Sequence, residues 1–224
     1  MFMELSQSAD NPARTVHASY THARAAFDQH RCPDLGERRA SLDKLAQLLR
    51  DNATAIQQAI SADFGNRSAH ETQMLELFPA LAAIRDARRH LPKWMKPQCS
   101  WASLWFLPAR RELRSQPLGV VGIIVPWNYP ILLAIAPLVG ALAAGNRVLI
   151  KMSELTPRTG ELLAKLISAV FPSGQVIVIN GDANVAREFA ALPFDHLLFT
   201  GSTAIGRDQK YHENFYRQNM LIQL

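Results

Sequence analysis

Four short apolar runs alternate with segments of helical pattern between residues 118 and 200, and this alternation constrains the fold more than any other feature. The runs are Leu118–Val125, Arg147–Lys151, Gln175–Asn180 and Asp195–Thr200. The first, LGVVGIIV, is apolar throughout, which is typical of a strand covered on both faces. Because short links join each strand to a helix, the strands are expected to be parallel with right-handed crossovers. The sequence therefore predicts an α/β fold built on a Rossmann-like parallel sheet with flanking helices.

Three helices are predicted between these strands. They run from Ile131 to Ala144, from Pro157 to about Phe171, and from a cap at Asp182 to Ala191. Gly145 ends the first of them, and Thr156 is expected to cap the second, in which proline occupies the first helical position.

A helical region is predicted before the sheet, over about the first ninety residues. Leu42, Leu45, Leu48 and Leu49 form one stripe of an amphipathic helix. A second helix is expected to stop near Gly65, and a third to run from about Ser68 to His90. The stretch from residue 91 to residue 108 holds three prolines and three tryptophans. It is predicted to be an extended connector whose aromatic rings pack across the domain surface.

Charge and cysteine content narrow the class of protein. The net charge is +5, but the basic residues are scattered among acids and form no run, so a nucleic-acid partner is not expected. Cys32 and Cys99 are too few for a disulfide framework. The N-terminus carries Glu4 and Asp10 and has no long apolar core, unlike a secretory signal. We therefore expect a cytoplasmic protein, and we predict no metal site.

One long uncharged stretch needs comparison with a membrane span. No charged residue occurs from Ser115 to Asn146, which is long enough to cross a bilayer. Four prolines interrupt it, and Asn128 places a polar amide in its middle. A buried strand, a turn and a buried helix explain the apolarity better, so no membrane partner is expected.

The polar residues and glycines that follow the strands are the candidate site. Ligands of open parallel sheets bind at the carboxyl ends of the strands. The candidates after the four strands are Pro126, Trp127 and Asn128; Lys151, Ser153 and Glu154; Gly181; and Thr200, Gly201, Ser202 and Gly206.

Taken singly, each cluster admits an ordinary structural explanation. The loop Gly201–Gly206 could bind phosphate at a helix start, but Arg207 and Asp208 stand where a triphosphate-binding loop needs Lys and Ser or Thr. Lys151 and Glu154 fit a ribose site or a charged surface loop equally well. Asn128, interpreted as a buried amide, could stabilise a turn or donate to a developing oxyanion.

Together the clusters carry a resemblance to a known family. The segments PLGVVGIIVPWNYP (117–130), KMSE (151–154) and LLFTGSTAIGR (197–207) resemble the aldehyde dehydrogenase superfamily in the same order. The resemblance extends over about residues 38–207, and the amino-acid sequence of these segments is most similar to that of bacterial coniferyl aldehyde dehydrogenases.

The resemblance implies an NAD(P)-dependent oxidation of a small-molecule aldehyde, of the aromatic, coniferyl type, to the carboxylic acid. It implies that Lys151 and Glu154 hold the adenosine ribose, and that Gly201, Ser202 and Gly206 lie near the pyrophosphate. Trp127 would line the pocket, and Asn128 would supply an oxyanion donor. Glu154 favours NAD over NADP, although Lys151 would still tolerate a 2′-phosphate.

The resemblance also implies an organisation. Residues 1–93 would be the N-terminal helical part of the cofactor domain, 94–117 a connector with a bridging strand, and 118–207 the dinucleotide-binding core. Residues 208–224 form an atypical tail without Ala, Gly, Val or Pro. The resemblance further implies that full-length members are homo-oligomers, and it leaves the assembly of this chain open.

The family's cysteine nucleophile and glutamate base have no counterpart in the sequence. Cys32 lies before the helices predicted from Leu42 onward and Cys99 lies in the connector, so neither matches the nucleophile. We therefore expect a truncated, inactive piece of the enzyme, with a non-catalytic dinucleotide-binding module as the alternative. An interaction or nucleic-acid protein, suggested by charge alone, ranks last.

Overall fold

The computed structural model describes residues 12–106, 108–201 and 219–223, and its elements follow the predicted alternation. The helices are α1 (Pro12–Gln29), α2 (Leu35–Asp51), α3 (Ala53–Asp63), α4 (Ala69–Thr72), α5 (Phe78–Met95), α6 (Pro130–Ala144), α7 (Pro157–Val170) and α8 (Ala183–Ala190). A π-helical turn spans Gln73–Leu77, and a 3₁₀ turn spans Leu104–Phe106. The strands are β1 (Gln98–Trp101), β2 (Arg110–Leu113), β3 (Val120–Ile124), β4 (Arg147–Lys151), β5 (Val176–Ile179), β6 (His196–Thr200) and β7 (Asn219–Gln223).

The main sheet has the order β5-β4-β3-β6-β7, and all its strands are parallel. The chain winds outward from β3 to β5 and then returns to pair β6 with the other side of β3. Strand order therefore reverses between β3 and β6, which is where open parallel sheets leave a crevice for ligands. The α/β prediction is confirmed. The fifth strand, β7, was not predicted, and it lies within the segment interpreted as an atypical tail.

Both faces of the sheet are covered, as the apolarity of the first strand predicts. Val121 and Ile123 face a core shared with α2, α3, α5, α6 and α7, whereas Val120 and Ile124 face a second core shared with α1 and α8. The N-terminal helices are thus divided between the two faces of the sheet. Among the residues that the structure describes, no helix is long and apolar enough to cross a membrane.

The predicted break at Leu91 is wrong, because α5 continues to Met95 with Pro92 inside it. Proline so close to a helix end removes a single backbone hydrogen bond. The side chain of Leu91 is only 1% exposed, and its burial offsets that loss.

The predicted packing of the connector aromatics is also wrong. Strands β1 and β2 form a separate antiparallel pair whose residues are all exposed. Trp105 is 91% exposed, and Trp94 and Trp101 are at least half exposed. Among the described residues, neither apolar core includes any of the three tryptophans, although Met95 at the end of α5 packs against the first core.

Candidate functional site

A cavity of about 500 Å³ opens at the carboxyl ends of β3, β4 and β6 and extends along α8. It lies at the crevice that the reversal of strand order creates. Seven of the predicted site residues line it: Pro126, Trp127, Lys151, Ser153, Glu154, Thr200 and Gly201. Asn128 and Gly181 lie near the cavity without lining it. Ser202 and Gly206, also predicted, lie outside the described residues.

Lys151 is among the largest fully buried side chains in the described part of the chain. Its Nζ donates to the carbonyl of Met152 at 2.6 Å and to the carbonyl of Gly181 at 2.8 Å. These bonds occupy two of the three N–H donors of the ammonium group, and the third has no partner among the described residues. Burial lowers the pKa of Lys151 from its ordinary value, while Glu154 and Asp182 oppose the change.

The turn after β4 presents a carboxylate at the cavity wall. Ser153 accepts a hydrogen bond from the backbone N–H of Leu155, and Glu154 between them is exposed. Thr156 precedes α7 as predicted, but its side chain does not cap the helix. Asp63 does so instead, because its carboxylate accepts from the backbone N–H groups of Arg158 and Thr159.

Gly181 fixes Lys151 from behind the cavity. Its φ of 146° lies in a region that side chains rarely adopt. In this conformation its carbonyl accepts from the ammonium of Lys151. The next residue, Asp182, caps α8 as predicted and accepts from the N–H groups of Asn184 and Val185.

One wall of the cavity consists of small residues that the sequence analysis missed. Ala183, Ala186 and Ala190 line it from α8, together with Arg187. The alanines stand at i, i+3 and i+7, so they share one helix face. That spacing is visible in the sequence and could have identified the wall.

The prediction that Asn128 is a buried amide is wrong, because its side chain is exposed. The backbone of Asn128 is nevertheless held, since its carbonyl accepts from Nη1 of Arg67 at 2.8 Å. Trp127 is half exposed, and its ring centroid lies 6.1 Å from that of Phe64. The turn beside the cavity therefore rests on residues of the N-terminal helical region.

Glu76 is a buried acid that the sequence analysis also missed. It is 0% exposed, and its Oε2 accepts from the first backbone N–H groups of α6, at 2.7 Å from Ile131 and 3.3 Å from Leu132. Burial raises the pKa of Glu76 above its ordinary value of 4.5, although the two N–H groups and Arg67 oppose the change.

This raised pKa predicts a pH-dependent stability difference between the wild-type chain and Glu76→Gln. At pH values between 4.5 and the raised pKa, the folded state binds the Glu76 proton more tightly than the unfolded state does. The free energy of unfolding of the wild type therefore falls as the pH rises through this range. Glu76→Gln has no titrating group at this position, so its free energy of unfolding lacks this decrease. Urea unfolding of both proteins at several pH values checks the difference, with the exposed Glu161→Gln as control. A wild type that gains relative stability with rising pH would contradict the prediction.

Neither cysteine lies at the cavity. Cys32 and Cys99 are both exposed, and neither lines the cavity wall. Within ranges 12–106, 108–201 and 219–223, no group of three or more His, Cys, Asp or Glu residues could hold a metal ion. The charged groups of the site are therefore the buried ammonium of Lys151, the exposed carboxylate of Glu154 and the guanidinium of Arg187 on α8.

Comparison with known sequences identifies similar proteins. Residues 4–218 match the family described as "Aldehyde dehydrogenase family". A probable coniferyl aldehyde dehydrogenase of Pseudomonas aeruginosa is 47% identical over 201 residues, which cover 90% of this chain and 42% of that protein. A coniferyl aldehyde dehydrogenase of Pseudomonas sp. strain HR199 is 48% identical over 170 residues, which cover 76% of this chain and 35% of that protein. The chain thus spans less than half the length of these relatives.

Solved structures give the same fold. The substrate-bound state of Staphylococcus aureus AldH superposes with a TM-score of 0.88 at 29% identity, over 93% of this chain and 45% of that one. An aldehyde dehydrogenase of Mycobacterium tuberculosis complexed with NAD⁺ superposes with a TM-score of 0.84 at 26% identity, over 95% of this chain and 44% of that one.

Proposed function

The chain belongs to the aldehyde dehydrogenase family, and from that premise we propose that its cavity binds the adenosine half of NAD for the oxidation of an aldehyde to a carboxylic acid. The observation that carries the proposal is the convergence of Lys151, Glu154 and the alanine wall of α8 on one cavity. At about 500 Å³ the cavity is within the usual range for a small-molecule site.

The residues present fit a ribose. The third N–H of Lys151 can donate to a ribose hydroxyl, and the carboxylate of Glu154 can accept from one. Since Lys151 is already held by two carbonyls, its ammonium needs little further ordering when a ligand arrives.

The alanine wall fits an adenine ring. Ala183, Ala186 and Ala190 carry only methyl groups, so a flat aromatic ligand can approach the helix closely. Leu155 on the opposite turn is 61% exposed and lines the same cavity. A ring between these surfaces would remove apolar area from water on both sides.

The aldehyde belongs at the other end of the cavity, beside Trp127 and Asn128. The chemistry that NAD would supply when bound is the acceptance of a hydride, one proton with two electrons, from the aldehyde carbon. The exposed amide of Asn128 is available to donate to a developing oxyanion. We further propose an aromatic substrate of the coniferyl aldehyde type, which the names of the similar Pseudomonas proteins support.

Glu154 is expected to disfavour a 2′-phosphate, so NAD should bind better than NADP. A phosphate beside this carboxylate meets like charge, and the wild type should prefer ADP-ribose to its 2′-phosphate by about tenfold. Glu154→Gln removes the repulsion and should narrow that ratio. Titration of both ligands by nuclear magnetic resonance measures it, with the exposed Glu161→Gln of α7 as matched control. If the ratio of the two affinities is the same in Glu154→Gln as in the wild type, Glu154 does not discriminate between the two ligands.

The 224-residue chain alone is expected to produce no NADH from coniferyl aldehyde. The family mechanism requires a thiol beside the aldehyde, and neither Cys32 nor Cys99 lines the cavity. Absorbance at the NADH band, compared with a protein-free sample, is the measurement, and a full-length coniferyl aldehyde dehydrogenase is the positive control. Sustained NADH formation by the chain would contradict the expectation. Absence of turnover with intact nucleotide binding would favour a non-catalytic dinucleotide-binding module for these residues.

A further inference from the structure

A buried ion pair lies beneath the turn of residues 126–129, at the mouth of the cavity. Its members are Arg67, which follows α3, and Glu76, in the π-helical turn. Nη1 of Arg67 lies 3.4 Å from Oε1 of Glu76. The side chains are 12% and 0% exposed, respectively. Neither residue lines the cavity, so the role of the pair is not ligand contact.

Glu76 connects the π-helical turn to the start of α6. Its second oxygen accepts from the N–H groups of Ile131 and Leu132, which no preceding helical carbonyl can satisfy. The negative charge also stands at the positive end of the helix dipole. Single π-helical turns are uncommon and occur frequently at functional sites. Glu76 therefore binds Ile131 and Leu132, which come soon after the turn of residues 126–129.

Arg67 holds the turn itself. Its shortest hydrogen bond runs from Nη1 to the carbonyl of Asn128, at 2.8 Å, and it is shorter than the contacts with Glu76 and Glu71, both at 3.4 Å. Its guanidinium lies 3.7 Å from the ring centroid of Phe64 and 5.2 Å from that of Tyr129. The guanidinium is thus oriented from several sides.

The energetics argue against a purely stabilising role. A buried ion pair loses much of its attraction to desolvation, and pairs of this kind often contribute little to stability. The geometry agrees, because the best bond of Arg67 goes to a backbone carbonyl of the turn.

We propose that Arg67 and Glu76 are positioning residues, which hold the turn of residues 126–129 so that Trp127 lies at the cavity wall and Asn128 lies beside it. Glu76 orients Arg67 and anchors the start of α6, and Arg67 secures the carbonyl of Asn128. The link to nucleotide affinity rests on the proposed function, whereas the link to the turn does not.

The test compares backbone order in four ¹⁵N-labelled variants of the 224-residue chain. Arg67→Met keeps the aliphatic stem against Phe64 but cannot donate to Asn128. Glu76→Gln retains size and an acceptor oxygen but loses the charge that orients Arg67. Arg67→Lys keeps a donor and should restore part of the effect. Asp195→Asn is the matched control, because Asp195 also binds an arginine and a backbone N–H, those of Arg24 and Val120, at the opposite end of β3.

Arg67→Met is expected to lower the amide order parameters of Asn128 and Tyr129 from about 0.85 to about 0.6, with Glu76→Gln giving a smaller decrease. Both should weaken ADP-ribose binding by about threefold to tenfold. Asp195→Asn should lower the melting temperature while leaving both readouts unchanged. If Arg67→Met does not fold, Glu76→Gln alone decides the question.

Unchanged order parameters in Arg67→Met and Glu76→Gln would overturn the proposal, as would equal loosening in Asp195→Asn. Failure of the wild type to bind ADP-ribose would refute the proposed function instead. The order parameters would still decide whether the pair holds the turn.

Discussion

Lys151→Met is expected to raise the dissociation constant of ADP-ribose by about tenfold or more, because hydrogen bonds to charged groups contribute about 1.5–3 kcal/mol. Lys151 is buried, and its ammonium is held by the carbonyls of Met152 and Gly181 with one donor remaining. Methionine fills nearly the same volume but has no N–H donor. The substitution is therefore expected to weaken ligand binding more than it disturbs the packing of the core.

Saturation-transfer nuclear magnetic resonance measures this loss, since it detects weak binding to the 224-residue chain. Lys165→Met is the control, because Lys165 is exposed on α7 and away from the cavity. Circular dichroism establishes that the variants are folded. Equal dissociation constants for the wild type and Lys151→Met would show that the ammonium does not contact the ligand.

Asn146→Ala is expected to lower the free energy of unfolding by about 1–4 kcal/mol, because a buried donor left unpaired costs about 1–3 kcal/mol and a partly exposed donor costs less. Asn146 is only 5% exposed. Its Oδ1 accepts from the backbone N–H groups of Leu118, at 2.7 Å, and Gly119, at 3.0 Å. These bonds join the end of α6 to the entry of β3, and alanine provides no replacement acceptor.

Urea denaturation measures the effect of Asn146→Ala. The same substitution at the exposed Asn184 is the control and should change the free energy of unfolding by less than about 0.5 kcal/mol. A loss at Asn146 no larger than that at Asn184 would mean that water replaces the amide at the two N–H groups.

The sheet could be predicted because its signals are local. An apolar run such as residues 118–125 specifies burial on both faces, and Gly145 with a φ of 88° ends α6 where a residue without a side chain is favoured. Most of the cavity followed from the same pattern, because parallel strands place their carboxyl ends at one edge. Lys151 and Glu154 were therefore found without knowledge of any contact.

The support of the site could not be predicted, because it depends on contacts between distant parts of the chain. Glu76 reaches the N–H of Ile131, 55 positions away, and Arg67 reaches the carbonyl of Asn128, 61 positions away. No periodicity identifies such pairs. The apolar neighbours of Asn128 suggested a buried amide, but the turn projects its side chain outward while Arg67 holds its backbone.

The strand-end cavity is proposed to bind the adenosine half of NAD. Titration of the ¹⁵N-labelled chain with NAD, followed by mapping of the backbone amide shifts, tests this binding. Saturable shifts are expected in residues 151–155 and 183–190 and at Trp127, with little change in the exposed pair β1 and β2. Lys151→Met should suppress those shifts. Shifts that do not saturate, or that cluster away from the carboxyl ends of β3, β4 and β6, would contradict the account.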